Sequence, residues 1–256
     1  MQARQVNIAN GWLWIRQGFW LFKKSPVLWV VLTAIGLIAI FGLAMIPIVG
    51  DLLATLLFPV LMAGYMLGCR ALEHNEELEL AHLFAGFQQN TQQLVTLGGL
   101  NLICQFLILG IMMVTGGSAL VAILMSGNQV DDPAVLMQAV TGAGVALLLG
   151  VTLFFVLLMA MQFAPMLVVF DKVTPVSAMK ISLRAFLRNA LPMTVYGLML
   201  LPFAIVASLP LMLGWLILMP VLITSTYAAY RDLFPKEAGN VTTEGEAVAQ
   251  DDQVNP

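Results

Sequence analysis

The 256-residue chain is 60% hydrophobic and 10% charged, with a mean hydropathy of +0.93, a composition that excludes an ordinary water-soluble domain and makes lipid the main solvent. The formal net charge of −3 says little about partners, because acids gather in a terminal tail while bases sit beside apolar segments, and nothing in that balance points to nucleic acid.

Met1 to Asn10 is polar and leads into an aromatic segment of mixed charge, so no cleavable signal peptide is expected and the first span acts as an uncleaved signal. Residues 1–27 read as an N-terminal interfacial segment. Trp12, Ile15, Phe19 and Phe22 recur at three- and four-residue spacing and share a helical face, and Lys23 and Lys24 close that helix. Trp12, Trp14, Trp20 and Trp29 lie in or just beyond it, where a membrane boundary offers both apolar and polar neighbours.

Residues 28–235 read as an all-α membrane domain. A crossing of about 30 Å of hydrocarbon needs roughly 17–25 mainly apolar residues. Six segments qualify: about Leu28 to Val49, Leu52 to Cys69, Leu94 to Val114, Thr141 to Val169, Leu191 to Ser208 and Leu211 to Tyr230. Tight turns are expected at Gly50 and Asp51 and at Leu209 and Pro210, with Asp51 capping the second span. Pro165 lies near the inner end of the fourth span, where Gly142, Ala146 and Gly150 form a smooth face for close helix approach. The stretch from Gly116 to Gln138 has two readings: an extension of the third helix, which the pattern favours, or an interfacial helix on the outer face. It is too short for a seventh crossing.

Two more amphipathic interfacial helices are expected on the cytoplasmic side. Between the second and third spans, Leu80, Leu83, Phe84 and Phe87 share a face that excludes Glu79 and His82. Ahead of the fifth span, Thr174 caps a helix that Pro175 opens, with Val176, Met179, Leu183 and Phe186 on one stripe and Lys180, Arg184 and Arg188 opposite. The tail, 236–256, is expected to be disordered, since Glu237, Glu244, Glu246, Asp251 and Asp252 dominate it and little apolar surface is left to bury.

Counting the six spans as crossings puts all eleven Lys and Arg residues on one side, which predicts that both termini are cytoplasmic in a bacterial inner membrane. Pro59-Val60-Leu61 and Pro220-Val221-Leu222 each precede an arginine, Arg70 and Arg231, at the same interval. Two readings stand for this match: a parallel internal repeat, or coincidence within a membrane composition.

No ionisable residue falls inside a span, which argues against proton relays and most ion-coupled transport. Asn101 and Gln105, one turn apart, are expected to hydrogen-bond across a helix interface; Gln162, Thr224, Ser225 and Thr226 are the other polar residues within spans. Glu73, His74, Glu76, Glu77, Glu79 and His82 read as a solvated acidic loop rather than a metal site, and Cys69 and Cys104 as small packing residues. No catalytic residues, metal ligands or cofactor motif are identified. Lys180, Arg184 and Arg188, helped by Lys23 and Lys24, are the candidate lipid-headgroup contacts.

GWLWIRQGFWLFKKSPVLW at Gly11 to Trp29, AGYMLGCRAL at Ala63 to Leu72, LAHLFAGF at Leu80 to Phe87, FAPMLVVFD at Phe163 to Asp171, SLRAFLRN at Ser182 to Asn189 and YAAYRDLF at Tyr227 to Phe234 resemble a family of uncharacterised six-helix bacterial inner-membrane proteins. More distantly the chain looks like the YciC-like proteins and the membrane domain of some glycerophosphoryl diester phosphodiesterases, whose catalytic domain has no counterpart here. The resemblance implies fold and location and supplies no catalytic residues. The expected function is non-enzymatic: binding of membrane lipid, a membrane-protein partner or a second copy of the chain, in envelope maintenance. The alternative is a transporter or flippase-like conduit for an apolar or amphipathic solute.

Overall fold

A computed structural model describes residues 3–119, 121 and 133–235; the expected disordered tail, 236–256, and much of the stretch from Gly116 to Gln138 lie outside them. All regular elements among the described residues are helices: α1 (Asn10–Lys24), α2 (Pro26–Ala44), α3 (Gly50–Glu73), α4 (Ala81–Ala85), α5 (Thr91–Met112), α6 (Pro133–Gly142), α7 (Gly144–Met161), α8 (Ala164–Phe170), α9 (Pro175–Arg188), α10 (Ala190–Ser208) and α11 (Trp215–Leu233).

Five stretches are long and apolar enough to cross a membrane: Pro26–Ala44, Gly50–Glu73, Thr91–Gly117, Gly144–Phe170 and Ala190–Ser208. Burial separates them into two kinds. In α3, 56% of the apolar window is covered by protein, against 22% in α2 and α10, so α3 is central and those two rely on lipid for most of their contact. The expected sixth span forms as α11 but is not among the five, because Thr224, Ser225, Thr226, Tyr227, Tyr230, Arg231 and Asp232 fill its C-terminal half. Thr224, Ser225, Tyr227 and Tyr230 are nonetheless buried, so protein rather than lipid is their solvent.

Span ends differ from expectation where proline or a strained turn intervenes. α2 stops at Ala44 rather than Val49, since Pro47 lacks an N–H and its ring opposes the carbonyl of Leu43; the turn runs through Ile48 at φ 71°. Asp51 lies in the first turn of α3 but makes no capping hydrogen bond, which leaves it only the weaker interaction with the helix dipole. Between α10 and α11 the turn is longer than Leu209 and Pro210, with Leu211 and Met212 at positive φ and Trp215 Nε1 donating to Ser208 Oγ at 3.0 Å. α5 runs into a π-helical turn, Met113–Gly117, and Gly116 at φ 100° breaks its helical backbone, so the helical run reaches residue 119 only across a kink.

The amphipathic helices turn inward faces that overlap those expected only in part, with Ile15, Phe22 and Leu83 buried and Met179 and Phe186 packed on the core. In α1, Gly11, Trp14, Ile15, Gly18, Leu21 and Phe22 are buried against α10 and α11, while Trp12 and Phe19 are exposed. Trp14 and Trp29 therefore belong to the core rather than the membrane boundary, and Trp14 meets the Tyr196 ring edge-on at 5.9 Å. In α9 the buried stripe is Ala178, Ser182 and Ala185, small residues that allow close approach to α7 and α8; Val176 faces out. Thr174 bonds the Ser177 hydroxyl instead of capping the backbone. Only Leu83 of the α4 stripe is buried, leaving Leu80, Phe84 and Phe87 exposed. On α7, Ala146 and Gly150 do form a contact face, against Gly117 and Met112, whereas Gly142 ends α6 and meets open space.

Candidate intramembrane binding site

The fourth span is broken. Pro165 ends α7 at Met161 and starts α8 at Ala164, because its ring opposes the Met161 carbonyl and it has no N–H to donate. Ser182 of α9 repairs the gap, its Oγ accepting from the Phe163 N–H at 3.1 Å and donating to the Met159 carbonyl at 2.8 Å. Irregular backbone at membrane depth persists where protein covers it or where it borders a cavity. Both conditions hold here: Phe163 is fully buried and Gln162 lines a cavity.

That cavity, of about 650 Å³, lies among α2, α3, α5, α7, α8 and α11 and has the size of a small-molecule site. Its wall is mostly aliphatic. Its lining includes the polar residues Asn101, Gln105, Gln162, Thr33 and Thr226, brought together from α2, α5, α11 and the α7–α8 break. Asn101 stands ten residues beyond Thr91, about 15 Å along α5, which is half the depth of a typical hydrocarbon core. The expected cross-helix bond of Asn101 and Gln105 is not made: they share a face, as their spacing requires, but neither has a side-chain hydrogen bond among the described residues. Thr33 is 2% exposed and its hydroxyl has no partner among the described residues. Tyr65 also borders the cavity, and its hydroxyl donates to the Leu32 carbonyl at 3.0 Å.

At the end of the bundle where the N-terminal segment meets the end of α11, side chains far apart in sequence tie the helices together. Asp232 accepts from Asn10 Nδ2 at 2.6 Å and Trp14 Nε1 at 2.9 Å and forms an ion pair with Arg4. Arg4 also donates its N–H to the Leu233 carbonyl at 2.8 Å. The buried Asn189 holds the same strand from the other side, bonding the Val6 N–H and the Arg4 carbonyl. Glu73 accepts from Tyr227 at 2.6 Å and pairs with Arg231, so it is a bonded end of α3 rather than part of a solvated acidic run. Tyr230 donates to Asp171 at 2.5 Å, and Arg70 stacks 5.6 Å above the Phe170 ring. Thus Arg70 and Arg231, matched in the sequence, close their helices through different partners. No three His, Cys, Asp or Glu side chains among the described residues are placed to hold a metal ion, and Cys69 and Cys104 are both free.

The candidate headgroup residues are divided. Lys180, Arg184 and Arg188 are exposed along α9 with no ion pair. Lys24 is occupied: Nζ donates to the Leu72 carbonyl at 2.6 Å and to Asn75 at 3.0 Å, satisfying the end of α3, and lies 4.3 Å above the Trp20 ring. Lys23 rests over Phe19 at 4.8 Å. Because α1 packs on α10 and α11 while α9 packs on α7 and α8, the two basic groups lie on different walls.

Residues 14–249 match a domain of unknown function, DUF7847. The chain belongs to this family. Over 233 residues it is 31% identical to a probable inner membrane protein of Burkholderia thailandensis, covering 89% of the chain and 84% of that relative. No solved structure matches it. With its apolar helices, these matches make the chain a multi-pass inner-membrane protein of a family without an assigned function.

Proposed function

We propose that this is a non-catalytic, six-crossing inner-membrane protein that binds membrane lipid in the cavity, with both termini cytoplasmic. The observation that carries the lipid reading is the convergence of the Asn101, Gln105 and Gln162 amides, without bonds of their own, on one largely aliphatic cavity. Polar groups at membrane depth are costly unless paired, so a ligand with a polar end and an apolar body fits both parts of the wall. Six crossings are supported by the N-terminal strand. Arg4 bonds Leu233 and Asp232, putting the start of the chain beside the end of α11, and that return requires an even number of crossings. The five apolar spans then need α11 as the sixth. All the basic residues among the described positions fall on that same side in this arrangement, as retention in the cytoplasm demands.

Purification in native-lipid discs followed by mass spectrometry of bound lipid tests the proposal. Asn101→Leu with Gln105→Leu breaks no hydrogen bond of the fold, and lipid retained after delipidating washes is expected to fall about tenfold, the worth of one or two lost hydrogen bonds. Unchanged retention refutes the cavity reading. The α9 stripe forms a second, peripheral contact. Exchanging Lys180, Arg184 and Arg188 for Gln is expected to weaken anionic-lipid association about fivefold per charge without emptying the cavity. The helix break at Gln162 favours the alternative, a conduit: movement of a labelled amphiphile across reconstituted vesicles, abolished by the Asn101/Gln105 variant, identifies it.

A further inference from the structure

We infer that the cavity selects an uncharged lipid, one whose polar end carries a hydroxyl or carbonyl oxygen on an acyl or isoprenoid chain, and rejects anionic phospholipid. This rests on the cavity being a lipid site and names its ligand class. The wall contains no Lys, Arg, His, Asp or Glu, so a phosphate drawn into it would have no counter-charge. A charge at the bilayer centre costs roughly 2.5–3.5 kcal/mol on insertion scales, and here nothing offsets it. The basic residues stand elsewhere, at the inner helix ends and along α9, where a charged headgroup stays in contact with water. What the wall supplies is neutral: amide donors and acceptors from Asn101, Gln105 and Gln162, which suit an ester, a ketone or an alcohol.

Thr33 is the most specific of these groups. Its hydroxyl is enclosed and unpartnered beside the cavity, and a buried polar atom left without a bond calls for a partner that the protein does not provide. That hydroxyl has no surface open to the cavity as it stands, and a ligand oxygen becomes its partner once Thr33 rotates about χ1, between the two rotamers open to a helical threonine, to turn the hydroxyl toward the wall. The ligand reaches it from the bilayer, since the rim residues Phe58, Phe154 and Leu158 are 48%, 46% and 46% exposed on surfaces that face lipid.

The test uses the full chain in phosphatidylcholine discs doped with a photoactivatable diacylglycerol or, in a separate arm, a photoactivatable long-chain polyprenol. Labelled peptides are read by mass spectrometry. Labelling is expected on α3 or α7 at the rim in one or both arms, and excess phosphatidylglycerol leaves it unchanged; the arm that labels decides between acyl and isoprenoid chains. Thr33→Val removes only a hydroxyl with no protein partner, so the fold keeps its stability while labelling falls about tenfold, and Thr33→Ser restores it. Displacement by phosphatidylglycerol, or labelling indifferent to Thr33→Val, overturns the inference. If phosphatidylglycerol itself labels the rim and loses that labelling in the Asn101/Gln105 variant, the cavity remains a lipid site and only the uncharged class fails. If no lipid depends on Asn101 and Gln105, both readings fail.

Discussion

Replacing Gly18 by leucine is expected to undock α1 from α11 and to produce a large loss of stability. A Cβ at this position would lie 2.5 Å from the Ser225 backbone nitrogen and 2.6 Å from its Cα, and backbone cannot swing aside as the tip of a side chain can. Overpacking of this kind typically costs about 1–3 kcal/mol, and a leucine must push the two helices apart along the crossing that also buries Trp14, Ile15 and Leu21. Gly18→Ala gains roughly 1 kcal/mol of helix propensity but still meets the clash, so its loss is smaller. Gly42 is the control: it too sits inside a helix, nothing lies within 4 Å of its would-be Cβ, and Gly42→Ala is expected to be neutral or stabilising. Thermal unfolding in detergent, followed by aggregation onset, separates the cases. A Gly18→Leu protein as stable as the parent would mean that the close crossing is not maintained in the molecule.

Asp232→Ala is expected to loosen the N-terminal strand from the bundle. One carboxylate there serves Arg4, Asn10 and Trp14, and its own side chain is 18% exposed. The three losses are unequal. Arg4 is mostly in solvent, so its ion pair contributes little, whereas the indole N–H belongs to a side chain with no exposed surface and is left unsatisfied at about 1–3 kcal/mol. Asp232→Asn keeps an acceptor for Trp14 and removes the charge, so it is expected to cost less than alanine. Limited proteolysis near Arg4 together with Trp fluorescence reads the effect: rapid cleavage and a red shift in Asp232→Ala, with Asp232→Asn close to the parent. Equal behaviour of the two variants would show that charge, and not the indole bond, holds the strand.

Much of this architecture was legible because a membrane leaves a coarse and regular mark. Five of the six expected spans are recovered as long apolar helices, and even the break near Pro165 follows from one residue's missing N–H. What escaped was facing. In α1 and α9 the visible periodicity of large apolar residues favoured stripes through Trp12 and Val176, yet the buried stripes run through Gly18 and through Ala178, Ser182 and Ala185. Large residues tolerate lipid or headgroups as readily as protein, whereas small ones gain most where another helix comes close, so hydropathy finds Ile15 and Phe22 but misses the centre of the buried stripe. The role of Ser182 had no signal in its own surroundings, because its partners lie across the α7–α8 break.

The candidate site divides in the same way. The residues themselves were visible: Asn101 and Gln105 share a face by spacing, and Gln162 and Thr226 stand out in apolar segments. The sequence by itself determined that this is an α-helical membrane protein and where most of its spans lie, since these depend on the local cost of placing each residue in hydrocarbon. Only the tertiary structure decided that Asn101, Gln105, Gln162, Thr226 and Thr33 border one cavity, that Lys24 caps α3 instead of waiting for a headgroup, and that Asp232 and Glu73 tie the inner ends together. Those are facts of convergence. An amide in a span is equally costly wherever the helix turns it, and which neighbour relieves that cost is set by how helices distant in the chain pack together.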